Sequence, residues 1–238
     1  MQRVGTRLAQ LIVKPNSRSQ IFSIASGFSA WIDRNLRTIC SVKASYFGSP
    51  VDDVEILTRL PEEISNTLRN ENGFIAAGGG LHVRGACVSP AWHSIRAAWE
   101  GEFALHRLFP MVHESDIPLA EDCFGDQYLL RDRQVVRLQG ETGEIEATQK
   151  TWNEFLATTE ADSIEFLGLS YLIRFQEEGG VLMPGYLLSV YPPFVAKECV
   201  NPSVRPIPSL ELRLWLADFA RQIRGVEDGQ RIQIRITQ

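Results

Sequence analysis

Apolar positions along this chain change their period twice, and the changes mark out its elements. In residues 209–224, Leu212, Trp215, Leu216, Phe219 and Ile223 recur at steps of three and four, the stripe of a helix with one buried face. Arg221 and Arg224 lie at its negative end, and Gly225 supplies the stop. The same period in Ile64 and Leu68 predicts a helix over 57–71, LTRLPEEISNTLRNE. Pro61 suits its first turn, Glu62 and Glu63 its positive dipole end, and Asn72-Gly73 a left-handed stop. Ser89-Pro90 is expected to open another helix, with Trp92, Ile95 and Trp99 along one core-facing side. Thr151 and Glu154 have capping-box spacing before a helix through Leu156. Residues 163–175 read as one more helix, ended by Gly179-Gly180.

From residue 117 the period falls to two. Segments 126–131 and 134–139 alternate around Asp132-Arg133, and Glu141-Thr142-Gly143-Glu144 turns into 145–147. That is an antiparallel meander of at least three strands. The run RIQIRI (231–236) alternates throughout and reads as an edge strand or one with a solvated face. Between 184 and 208 six prolines exclude continuous regular structure, so a structured crossing loop is expected. Gly78-Gly79-Gly80 lacks the following Lys-Ser/Thr and the preceding β run of a phosphate loop, so it reads as a flexible turn. Together these elements predict an α+β fold, a mainly antiparallel sheet flanked by helices.

Charge divides the chain. Residues 1–50 carry seven bases against one acid, Asp33, which leaves a net −11 to residues 51–238 of a chain whose total is −5. The first fifty residues are serine-rich, and their longest apolar stretch, IFSIASGFSAWI, is too short and too polar to span a bilayer. They read as a basic N-terminal extension, disordered or preceding the true start, with a domain over 51–238 that begins after Gly48-Ser49-Pro50. The acidic balance argues against nucleic acid as a direct partner. Cys40, Cys87, Cys123 and Cys199 are spread without a CxxC, which predicts free thiols in a reducing, cytoplasmic compartment. His82, His93, His106 and His113 follow at spacings of eleven, thirteen and seven residues, which match no ligand pair on a helix. They read as scattered surface or half-buried histidines, with no metal and no cofactor.

The stretch AEDCFGDQYLLRD (120–132) concentrates Glu121, Asp122, Asp126 and Asp132 around Gly125 and Cys123. An EF-hand is excluded, because the glycine stands in the wrong place and apolar residues occupy ligand positions. A hydrolase using Asp122 and Asp126, or Cys123 as nucleophile, would need a base and an oxyanion donor that no nearby sequence supplies. A corner explains more: Gly125 permits a positive φ, and Asp122 can accept from backbone amides as the chain enters a strand. Tyr128 and Leu130 would then face one side of the sheet and Leu129 the other.

The series LPEEISNTLRNENG, IPLAEDCFGDQYLLRD, VVRLQGETGEIE and TWNEFL resembles the SUKH superfamily of fungal cell-wall-synthesis regulators and bacterial toxin-immunity proteins. The resemblance covers about residues 57–157. It implies a non-enzymatic domain that binds another protein, such as a secreted nuclease or other toxin, and blocks it. A regulatory scaffold in a cell-wall or signalling pathway is the alternative that the fungal members imply. Glu121, Asp122, Gly125 and Asp126 match the family motif, either as architecture or as partner contacts. Phe74 stands where the family's turn carries a second glycine, and Cys123 lies beside the acid.

Overall fold

A computed structural model describes residues 7–13, 44–227 and 229–236. Its centre is a seven-stranded antiparallel sheet whose strands follow one another in chain order. The strands are β2 (Tyr46–Phe47), β3 (Phe74–Ala76), β4 (Leu81–Val83), β5 (Ile117–Asp122), β6 (Gln127–Arg131), β7 (Gln134–Leu138) and β8 (Ile145–Lys150). The expected α+β fold and the β6–β7–β8 meander are both present. Asp132 and Arg133 turn β6 into β7 with φ of 50° and 66°, and the triple glycine makes the turn between β3 and β4.

Both faces of this sheet are covered, because β6 is apolar on both sides. Tyr128 and Leu130 point into a core with Ile56, Ile64, Leu68, Trp152, Phe155 and Leu172. Leu129 points the other way, into a second core with Leu105, Phe109, Leu212 and Leu216. The first core is roofed by α1 (Val54–Arg59), α2 (Glu62–Asn70), α5 (Trp152–Ala161), α6 (Ser163–Leu167) and α7 (Ser170–Glu177). The second lies under α8 (Ser209–Ile223), with α3 (Ile95–Trp99) and α4 (Leu105–Leu108) between the two strand-rich halves of the chain. The capping box opens α5 as expected, with Glu154 Oε2 accepting from the Thr151 amide at 2.8 Å.

Several predicted elements need correction. The helix over 57–71 is two, because Pro61 drives Leu60 to ψ 149° and so ends α1 before α2 begins. The helix over 163–175 is also two, broken where Gly168 is left-handed at φ 68°. Ser89 does not cap a helix. The 89–90 peptide is cis, and α3 starts later with Ser94 Oγ accepting from the Ala97 amide at 3.2 Å. Trp92 therefore lies in the preceding turn and shares no helix face with Trp99, and both are half-buried. The proline-rich loop contains a two-stranded ribbon of β9 (Tyr186–Tyr191) and β10 (Ser203–Pro208). Pro206 and Pro208 are tolerated because β10 is its outer strand.

The N-terminal boundary also moves. Residues of β1 (Arg7–Ile12) pair antiparallel with β11 (Arg231–Ile236), and Leu11 is buried against Val195, Phe219 and Ile223. β2 forms one edge of the main sheet. Residues 7–13 and 44–50 thus belong to the folded body, where an extension was expected; the rest of 1–50 lies outside the described residues.

Candidate functional site

Pairing register sets the site. Directly opposed residues across the sheet run Tyr46, Ile75, His82, Glu121, Gln127, Leu138 and Ile145. Three polar side chains therefore stand side by side in the middle of a row that is apolar further out. Alternation in β4 puts Leu81 and Val83 into the first core and turns His82 to the opposite face, with Arg84 following it. That face is closed by α8, whose Arg213 is only 5% exposed. The result is a dry polar cluster inside the fold.

Glu121 is its hub. Its Oε2 accepts from Arg84 Nη2 at 2.8 Å, Gln127 Nε2 at 3.1 Å and Arg213 Nη2 at 3.2 Å. Oε1 lies 3.0 Å from His82 Nδ1. Burial alone would push the carboxyl up, but Arg84, Arg213 and His82 hold it well below the usual carboxylate range. Burial brings the Arg84 guanidinium down to about 10, with Glu121 pulling the other way. His82 is lowered by burial, opposed by Glu121, and burial together with His82 takes His93 to about 4. Two arginines against one carboxylate make a further buried positive charge costly.

His93 continues the cluster. Its Nδ1 is 2.8 Å from His82 Nε2, and its Nε2 is 2.9 Å from the Asn72 carbonyl oxygen. The ring fits because three glycines surround it. A Cβ on Gly48, Gly73 or Gly85 would come within 2.5, 2.6 and 2.8 Å of ring atoms. Asn72 ties the same corner together: its Oδ1 accepts from the Ala86 amide at 2.7 Å and its Nδ2 donates to the Ser49 carbonyl at 2.8 Å. Tyr46 and Trp92 lie against the two imidazoles with centroids 5.1–5.3 Å apart. The expectation of scattered histidines is thus overturned for His82 and His93, which are buried and in contact.

The acidic corner sits beside this cluster. Asp122 Oδ1 accepts from the amides of Phe124 at 2.8 Å and Asp126 at 3.1 Å, closing the turn between β5 and β6. Gly125 has φ 94°, so its turn favours glycine, and a Cβ there would lie 2.5 Å from Leu216 Cδ1 on α8. Asp126 Oδ2 accepts two bonds from Arg137, at 2.8 and 2.5 Å, and its Oδ1 accepts from the Gly140 amide at 2.9 Å. Cys123 is fully buried, its amide bonded to Gly80 and its carbonyl to Leu188.

Glu121, Asp122 and Asp126 are at most 4% exposed, so no partner can touch them in the folded protein. Their candidacy as partner contacts is therefore corrected to an architectural one. Asp122 and Asp126 do meet, but through Asp122 and a backbone amide. The recess nearest the cluster is lined by His82, Glu121, Tyr186 and Ser209 and has a volume of about 10 Å³, room for one water. Among the described residues no group of three or more His, Cys, Asp or Glu could hold a metal ion, and no helix is long and apolar enough to cross a membrane.

No protein-family model and no curated protein matches the chain. Among solved structures it is similar to Atu4351 from Agrobacterium tumefaciens, at 13% identity over 73% of this chain and 85% of that one, with a TM-score of 0.46. A likeness of that size says nothing about activity.

Proposed function

We propose that the chain is a non-enzymatic protein-binding domain of SUKH type, an immunity protein that neutralises a toxin such as a nuclease in the cytoplasm. The observation that carries this reading is the internal engagement of the acidic motif. Each carboxylate that could serve as acid, base or ligand bonds to the fold itself, and the adjoining recess has room for one water but no substrate. The net −11 of residues 51–238 supports a basic partner, since complementary charge speeds encounter and rejects acidic competitors.

The test is co-expression with each toxin encoded beside its gene, followed by affinity capture of the complex. Growth is expected to be rescued from one toxin, with an association rate that falls as salt rises. Failure to rescue from every adjacent toxin would sink the immunity role. Capture of a cell-wall or signalling protein would favour the scaffold alternative instead.

A further inference from the structure

Three contacts in a row join the Glu121 carboxylate to the Asn72 carbonyl through His82 and His93, at 3.0, 2.8 and 2.9 Å. With Glu121 ionised, both ends of the row are acceptors only. Each contact needs one hydrogen, and two neutral imidazoles bring one each. Whichever tautomers are drawn, one contact lacks its proton. Nor can the His93 ring move aside, because Gly48, Gly73 and Gly85 enclose it.

We propose that His82 and His93 form a one-proton switch: the pair takes up a single solvent proton, shared along the row, which completes the third hydrogen bond and fastens the Asn72 corner. A second proton is excluded by geometry, since two imidazoliums would set N–H against N–H across the 2.8 Å contact. Neighbouring charges act in opposite senses. Arg84 from β4 and Arg213 from α8 oppose positive charge, and Glu121 from β5 favours it. Gln127 from β6 brings no charge, while Tyr46 from β2 faces His93 with a phenol held protonated by burial and, next, by Cys87. Burial, with the two arginines, outweighs Glu121, so uptake falls below the ordinary imidazole range.

In the proton-poor form, His82 keeps its Nδ1 hydrogen on the carboxylate, the charge-assisted bond. The deficit then lies at His93, between His82 and Asn72. What is released is the hold on β2, because the Gly48 amide bonds to the Gly73 carbonyl at 2.9 Å and Asn72 grips Ser49. The switch thus links proton uptake to the edge of the main sheet. It stands on this geometry alone and does not depend on the identity of any binding partner.

Long-range 1H–15N NMR of the full chain with labelled histidine, from pH 8.5 to 3.5, tests it. Between them the two rings are expected to hold two ring protons at high pH and three at low pH, shifting together with one midpoint. Two separate midpoints, or no change while the chain stays folded, would overturn the proposal. In Glu121→Gln the carboxamide supplies the third hydrogen, so the shared step should vanish; its persistence is a refutation. Should that variant not fold, His93→Asn replaces it, ending the row at an amide that donates to His82 and again removing the step. Exchange of the Gly48 amide, corrected for its intrinsic pH dependence, should slow roughly tenfold across the midpoint, the equilibrium weight of one hydrogen bond. No slowing would separate proton uptake from the sheet edge and overturn the switch.

Discussion

Replacing Asp126 by alanine distinguishes a structural corner from a catalytic one. Its side chain is 6% exposed, and its carboxylate accepts from Arg137 and from the Gly140 amide. Removing one partner of a buried ion pair costs about 3–5 kcal/mol, because the remaining charge is left uncompensated. The Arg137 side chain keeps 17% of its surface in solvent, so water recovers part of that. The orphaned Gly140 amide adds about 1–3 kcal/mol. A net loss of about 3–5 kcal/mol follows, which for a chain of this size lowers Tm by roughly 6–20 °C. Urea melts of the wild type, Asp126→Ala, Arg137→Met and the double variant measure it as a cycle. Arg137→Met leaves the carboxylate buried and unpaired, so it should be costly alone, and the double variant should cost less than the sum. A loss under about 1 kcal/mol for Asp126→Ala, or singles that simply add, would refute the reasoning. Catalysis by Asp126 would instead leave Tm nearly unchanged and abolish a turnover.

Gly73→Ala should cost about 2–5 kcal/mol, since φ is 76° and the new Cβ would meet His93 Cε1 at 2.6 Å; Gly179→Ala, equally left-handed but with nothing within 4 Å, should cost only about 1–2 kcal/mol in the same melts. Stability should decline as pH falls. His82 and His93 are depressed in the folded state, His93 to about 4, so the unfolded chain binds more protons below about 6.5. The contribution is fully present above that pH and is lost toward pH 4, with a slope of up to about 1.4 kcal/mol per pH unit for each imidazole. A midpoint urea concentration that rises on acidification from pH 7.5 to 5 would contradict this. Cys87 is 2% exposed with its thiol pushed up to about 11 by burial, so a thiol reagent should modify it no faster than the chain unfolds.

What could be read from the sequence was what local chemistry decides. The capping box at Thr151 and Glu154, the Asp132-Arg133 turn, the stripe of α8 and the Asp122–Gly125 corner are each specified within a few residues, and each is found where expected. The helix breaks at Pro61 and Gly168 were also written locally, but apolar spacing on either side concealed them. The histidine pair was of another kind. His82 meets Glu121 only through the β4–β5 register, across 39 residues with no tight turn to fix it. Leu81, His82, Val83 and Arg84 alternate like a strand with one wet face, and it takes distant residues, Arg213 of α8 and Trp92 among them, to cover that face. One cue was present: Arg213 lies beside Leu212 and Leu216 on the buried side of α8, a cation where the stripe calls for an apolar residue. A charge placed there asks for a buried carboxylate, which Glu121 supplies across 92 residues of chain.

The β1–β11 ribbon has a consequence for how the chain is made. It joins Arg7 to Ile236, so β1 is synthesised before every other described element and its partner strand after them all. Until β11 arrives, the RLAQLI strand carries an open row of amides and carbonyls, and Leu11 lacks the shelter of Phe219 and Ile223. Closing so long a loop costs entropy that only a body already folded can offset. Assembly of this ribbon is therefore a late event, and a nascent chain stalled before residue 231 would present β1 to chaperones or to another copy.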